Sequence, residues 1–332
     1  LIWQAVWRLE IRGTGAKSAV TLSAHRSLAA VKRIALLIAT NLAVVILLSV
    51  VIQLFGIDNY LTARGINYES LLIFSAVFGF GGAFFSLAIS KWVAKKMMGV
   101  QVIAQPNTET ERWLIATVRS HAEKAGIGMP EVGVFESPEP NAFATGPRKN
   151  DALVAVSTGL LRAMRRDEVE AVLGHEIAHV ANGDMVTLTL IQGVLNTFVF
   201  FLARVIGNLV DGVMRGNSNE QRGPGIGYFV IVMVAEIGLG LLASMLVAWF
   251  SRRREFRADA GGAYLAGSGA MIGALVALKR AHSPSRMPGQ LQAFGINGGL
   301  PQGLQKLFMS HPPLEARIAA LEQRTDALGR PS

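Results

Sequence analysis

The stretch Arg165-Arg166-Asp167-Glu168-Val169-Glu170-Ala171-Val172-Leu173-Gly174-His175-Glu176-Ile177-Ala178-His179-Val180-Ala181-Asn182-Gly183-Asp184 runs, after Met185, directly into the apolar segment Val186 to Val210. Its first part has helical periodicity from Arg166 to Ala181 and an Asn182-Gly183 stop. On an α-helix, His175 and His179 stand at i and i+4 and project from one face, so both imidazoles can reach a single tetrahedral Zn²⁺ at about 2.0 to 2.1 Å. Glu176 lies beside them, able to reach a water at the metal without ligating the metal itself. The plainer alternative is a helix that holds two histidines by coincidence. With only six histidines in the chain, the spacing and the adjacent glutamate weigh against it. Arg165, Arg166, Asp167, Glu168 and Glu170 upstream, with Asn182 and Asp184 downstream, place the motif at a membrane surface. An intramembrane site-2-type protease would carry it inside a spanning helix.

Composition agrees with a membrane setting. Of 332 residues, 51% are hydrophobic and 17% charged, against roughly 25% charged in an ordinary globular domain, and the mean hydropathy is +0.38. That excludes a disordered chain and fits an ordinary cytosolic enzyme poorly. A bilayer core needs about 20 apolar residues of helix, and four stretches qualify: Ile34 to Ile57, Leu71 to Ser90, Val186 to Val210 and Gly227 to Phe250. Only Arg204 and Glu236 interrupt them with charge, and these are either a buried pair or a functional site, a place near a helix end or facing the other hairpin helix favouring a structural role. Lys32 and Arg33 precede the first span, Lys91, Lys95 and Lys96 follow the second, and Arg252 to Arg254 follow the fourth. Basic residues beside spans stay in the cytoplasm, so the active site and both termini are expected there. The net charge of +9 comes from such clusters together with the other basic residues of 1–33 and Arg257, which argues against a nucleic-acid partner and for a lipid bilayer. The absence of cysteine excludes disulfides and thiolate metal sites.

The expected organisation is a transmembrane hairpin at 31–90, a catalytic part at 91–185, a second hairpin at 186–250 and a second catalytic part at 251–332. Residues 1–30 have few acids and several arginines and serines, compatible with a transit peptide; the economical hypothesis is a native product that starts at Val31, with 1–30 an added extension. In the catalytic part, Pro106-Asn107-Thr108-Glu109 opens an amphipathic helix over Trp113 to Lys124 that stops at Gly126. Glu131 to Phe135 and Asp151 to Val156 read as strands, with Asn141 to Thr145 as a candidate between them, which predicts a small antiparallel sheet. Phe256 to Arg280 reads as helical, His282 to Gly303 as a long loop and a candidate lid, and Pro312 to Thr325 as a proline-started helix. The fold class is thus an α-helical integral membrane protein of four spans with a cytoplasmic, mainly α domain containing a small sheet.

A catalytic zinc site needs a third protein ligand and an open position. The next histidine after His179 is His282, too far for a compact motif, so a carboxylate from a second helix is the better donor. Glu255 follows the fourth span as His175 precedes the third, and the hairpin returns the chain to the same membrane face. Asp259, one turn on, is placed to accept an N–H from a ligating imidazole. Alone, Glu255 would read as a carboxylate paired within an arginine cluster; the waiting histidine pair reverses that. A metal-binding membrane scaffold or transporter, in which Glu176 has no chemical duty, is the alternative outside catalysis.

His175 to His179, Glu255 to Asp259, Asn141-Ala142-Phe143-Ala144 and Ser310-His311-Pro312-Pro313 resemble motifs of the HtpX heat-shock membrane proteases, relatives of the CAAX prenyl endopeptidases. The resemblance runs from Val31 to about Leu321 and includes Asn182-Gly183-Asp184 and Val154 to Leu161. It implies that the cytoplasmic domain is a zincin-like metalloprotease domain, a zinc-dependent endopeptidase with one Zn²⁺ per subunit in the bacterial inner membrane. Its implied substrates are misfolded or damaged membrane proteins, with other membrane quality-control proteases as partners. It also implies that Asn141, Ala142, Phe143 and Ala144 form a substrate-binding edge strand, where the residues alone read as a turn after Pro140. His311 and Arg317, by the same resemblance, approach the substrate and the developing oxyanion.

Overall fold

The computed structural model of the chain describes residues 67–215, 225–281, 309 and 311–329. Expectations for 1–30, for the span Ile34 to Ile57 and for the loop His282 to Gly303 lie outside them.

Three described helices are long and apolar enough to cross a membrane. They are α1 (Tyr68–Met97), α5 (Asp184–Arg215) and α6 (Ile226–Ala266). Their outward faces carry exposed apolar side chains, among them Ile73, Val77 and Phe78 on α1 and Phe229, Met233 and Ile237 on α6. Small residues bring them together, for a Cβ on Gly79 would fall 2.6 Å from the Thr197 main chain, and one on Gly193 would strike the Phe80 ring. Within the α5/α6 hairpin Arg204 Nη1 lies 2.9 Å from Glu236 Oε1, an ion pair, which is one of the two readings the sequence leaves open.

The sheet and the other helices form the second layer: β1 (Gln101–Val102), α2 (Glu109–Ala125), β2 (Glu131–Phe135), β3 (Ala142–Arg148), β4 (Asp151–Ser157), α3 (Thr158–Ala163), α4 (Arg166–Asn182), α7 (Ser268–Ala281) and α8 (Leu314–Gly329). α2 starts on a capping box, in which the Thr108 side chain accepts from Glu111 N–H and the Glu111 carboxylate accepts from Thr108 N–H, and it ends on the left-handed Gly126. The sheet order is β1-β2-β4-β3. It is mixed, which corrects the expected antiparallel sheet: β2 and β4 run parallel, while β3 pairs antiparallel with β4 on its far side. The cause is the segment between β2 and β3, which carries the chain past the place β4 will take, so that β3 becomes the outer strand and the return strand fills the gap.

One sheet face contributes Val132, Val154 and Val156 to a core with Leu114 and Val118 of α2, Leu173 and Ile177 of α4, and Met271 and Leu275 of α7. The other face, with Phe135, Leu153 and Ala155, packs on Ala94 near the end of α1. Lys91 fixes that joint through Glu131 (2.9 Å) and Asp151 (2.6 Å), so a membrane helix is clamped to the sheet at its basic end.

α6 departs from the expected boundary. Its 41 residues span roughly 60 Å, twice a bilayer core, and it continues unbroken from the apolar segment through Glu255 and Asp259 to Gly267, whose φ of +99° ends it. No glycine or proline stands between Ser251 and Ala260 to stop the helix earlier.

α2 holds the ligand-bearing helix α4 through Trp113, whose Nε1–H donates to Glu170 Oε1, and through His121, whose Nε2–H donates to the Glu170 carbonyl at 3.0 Å. His121 is buried and its Nδ1 has no hydrogen-bond partner among the described residues. Burial therefore pushes its pKa below the ordinary value, against the weaker pull of the Glu170 carbonyl. Since the unfolded chain then binds the proton more readily, stability is complete above about pH 6.5 and is lost as pH falls from there through the lower folded value. The melting temperature in detergent should drop between pH 7.5 and 5, with a shallower slope in His121→Gln, whose amide can still donate to Glu170. Identical slopes would remove His121 from this role.

Candidate metal centre

α4 and α6 cross where both are small. A Cβ on Gly261 would lie 2.5 Å from Ala178 Cβ, and one on Gly262 would lie 3.0 Å from His175 N, so side chains there would push the helices apart. This close approach sets Glu255 and Asp259, earlier on α6, against His175 and His179 on α4.

The three expected ligands converge. His175 Nε2 and His179 Nε2 are 3.1 Å apart, His175 Nε2 is 3.5 Å from Glu255 Oε2, and His179 Nε2 is 3.3 Å from Glu255 Oε1. They are the one group of three or more His, Cys, Asp or Glu side chains among the described residues arranged to hold a metal ion. The spacings match the edge of a tetrahedron of ligands at about 2.0 to 2.1 Å, which is about 3.3 Å.

Behind each imidazole stands a carboxylate. His175 Nδ1 is 3.0 Å from Asp259 Oδ1, and His179 Nδ1 is 2.7 Å from Asp184 Oδ2. In the neutral imidazole, a proton held at His179 Nδ1 by Asp184 leaves its Nε2 lone pair aimed at His175 Nε2 and at a buried carboxylate. Glu255 is 2% exposed, and its Oε2 has no aligned hydrogen-bond donor among the described residues. Such a donor set suits a divalent cation and little else.

The same groups are strongly coupled electrostatically. Burial alone would raise the Glu255 carboxyl, but His175, His179 and His311 hold it far below the usual carboxylate range. Burial opposes an imidazolium at His179, and Asp184 and Glu255 outweigh it, pushing its pKa up to about 10. Asp259 is likewise held down against burial by Arg317 and His175.

Glu176 is half-buried beside His175 and makes no hydrogen bond or ion pair among the described residues, so its carboxylate is uncommitted. The structure places Asn141 just before β3, and Ala142, Phe143 and Ala144 in it, at the outer edge of the sheet and beside α4. The residues alone had suggested a turn there. Ser157 makes the difference: buried at the end of β4, its Oγ accepts from Asn141 N–H (2.9 Å) and donates to the Glu139 carbonyl (2.8 Å), bending the chain into the strand.

His311 is exposed, with Nδ1 2.7 Å from Glu255 Oε2. Arg317 is buried on α8. Its Nε and Nη2 hold both oxygens of Asp259 (2.8 and 2.5 Å), and Nη1 reaches within 3.3 Å of Glu255 Oε2. Sequence reasoning gave Asp184 no role. The signal was there: a left-handed glycine directly after the ligand helix turns the next acidic residue back toward it.

Residues 108–325 match the family described as Peptidase family M48. The chain is 63% identical over 293 residues to Protease HtpX of Thioalkalivibrio sulfidiphilus, covering 88% of this chain and 98% of that protein. It is 63% identical over 290 residues to a Protease HtpX homolog of Thiobacillus denitrificans, covering 87% and 98%. It is 59% identical over 295 residues to Protease HtpX of Pseudomonas putida, covering 88% and 99%. The crystal structure of S. mikatae Ste24p shares the fold, with a TM-score of 0.55 at 19% identity, covering 83% of this chain and 64% of that one.

Proposed function

Since the chain belongs to peptidase family M48 and is a membrane metalloprotease, we propose that its metal is a single Zn²⁺ held by His175, His179 and Glu255. Zn²⁺ in that position supplies Lewis acidity to the scissile carbonyl and to the attacking water. Glu176 takes the proton of that water on its carboxylate and delivers it to the leaving amine nitrogen. The outer edge of β3, from Asn141 through Ala144, aligns an extended peptide by main-chain hydrogen bonds. His311, the exposed imidazole beside Glu255, donates to the developing oxyanion, and Arg317 lends positive charge there while it keeps Asp259 ionised and in place.

The observation that carries the reading is the convergence of two carboxylate-backed imidazoles on Glu255, with Glu176 and the outer edge of β3, neither of them paired among the described residues, beside them. The basic clusters that follow the spans support a catalytic part on the cytoplasmic face of a bacterial inner membrane, with both termini on that side. A site at the end of membrane helices suits substrates presented from the bilayer surface, and the resemblance to the heat-shock proteases points to misfolded or damaged membrane proteins. The same resemblance points to other quality-control proteases as partners. In mild detergent the purified chain should cleave casein, lose at least about 100-fold of that activity to a chelator, and regain it with Zn²⁺. Cleavage indifferent to chelator would sink the proposal.

A further inference from the structure

The two histidine ligands are supported from different places. Asp259 behind His175 lies on α6, the helix that also bears Glu255, whereas Asp184 behind His179 is the first residue of the membrane helix α5. Gly183, with φ of +70°, makes the turn between α4 and α5 and brings Asp184 back over His179, five residues earlier. Asp184 is 2% exposed. Its main-chain oxygen accepts from Arg254 Nη1 at 2.9 Å, and Arg257 Nη2 forms an ion pair at 3.5 Å with its Oδ1, which has no hydrogen-bond partner among the described residues. Both arginines flank Glu255 on α6, and Arg254 also donates to Ser251 Oγ.

The chemistry of this contact is specific. A neutral imidazole carries one N–H, and a carboxylate at 2.7 Å fixes it on Nδ1, so that the Nε2 lone pair faces Glu255. The start of a 32-residue helix favours the negative charge of that carboxylate. A purely structural N-terminal aspartate would turn back onto its own helix's N–H groups; this one turns outward to the ligand.

We propose that Asp184 is a positioning residue for the metal centre, fixing the tautomer of His179 and, through the grip of Arg254 and Arg257, tying that ligand to both helices of the second membrane hairpin. The inference rests on the metal reading above.

The test measures Zn²⁺ affinity of the detergent-solubilised full chain by chelator competition, together with the absorption bands of its Co²⁺-loaded form. Asp184→Ala should weaken Zn²⁺ binding about 10–100-fold and alter the Co²⁺ bands. Asp184→Asn, whose amide oxygen can still accept the Nδ1–H, should recover part of that affinity. The isosteric amide also keeps the measurement open if the alanine variant accumulates poorly. Wild-type affinity and Co²⁺ bands in folded Asp184→Ala or Asp184→Asn would overturn the proposal, as would an equal loss in both. His179→Ala run in parallel separates the two readings: if it too leaves metal binding intact, the metal centre itself is misassigned and the inference falls with it; if it abolishes binding while Asp184→Ala does not, only the role of Asp184 fails.

Discussion

Glu176→Gln should bind Zn²⁺ as the wild type does and lose proteolysis by about 10²- to 10⁴-fold, the usual contribution of a positioned general base. The amide fills the same space on α4, and the carboxylate it replaces makes no hydrogen bond or ion pair among the described residues, so stability should change by no more than about 0.5 kcal/mol. The loss should fall on kcat with KM little changed, because Glu176 acts on a proton in flight and holds no part of the bound peptide. Glu176→Asp separates charge from reach: it keeps the base but withdraws it by one methylene, a displacement large enough to cost about 10²-fold. Zinc analysis of the purified variants, with steady-state cleavage of a peptide substrate, reads both quantities. Unchanged cleavage by Glu176→Gln would refute the base assignment. Loss of the metal would instead move Glu176 into the ligand set.

What the sequence made legible follows from which interactions are local. The i, i+4 spacing of His175 and His179 is a property of one helix, and the structure keeps it. Glu255 lies 76 positions beyond His179, yet it too was readable, because a membrane hairpin fixes where its far end emerges. The three described spans are legible for the same reason, since apolar runs of about 20 residues leave the backbone few alternatives. The mixed sheet was not. Whether β4 joins beside β2 parallel or antiparallel depends on where β3 lies, a choice made by tertiary packing that no single strand's alternation records. Asn141 to Ala144 shows the same limit at finer scale. Pro138 and Pro140 announce a turn, and only the buried hydroxyl of Ser157, sixteen residues later, bends the chain into an edge strand. The unbroken course of α6 past the bilayer segment was hidden for the opposite reason. A run of arginines reads as the end of a membrane helix, whereas helix geometry is indifferent to that boundary, and the extra turns are what carry Glu255 and Asp259 to the site.

Glu255→Ala should deplete the protein of zinc as isolated and reduce proteolysis in parallel, with a loss of affinity greater than the roughly 10–100-fold expected for a supporting residue such as Asp184. Glu255 gives the site its only negative charge in direct contact with both Nε2 atoms, and four cationic or titratable groups surround it: His175, His179, His311 and Arg317. Truncation therefore does two things at once. It leaves a two-ligand site, and it leaves the buried Arg317 guanidinium and the imidazoles facing one another without their shared counter-charge. Breaking a buried ion pair from one side costs on the order of 3–5 kcal/mol, so the melting temperature should fall as well. Glu255→Gln divides the two effects. Its amide keeps the shape and one oxygen donor but not the charge, so it should retain more stability than Glu255→Ala while its zinc content still drops. If the ligand role is wrong and Glu255 serves only to neutralise the cluster, both variants will lose stability yet hold a full equivalent of zinc, and metal analysis against the melting curves distinguishes these results. Because Asp259 and Arg317 stay paired in either variant, any residual zinc should remain on His175 and His179, with the geometry of a site missing one ligand.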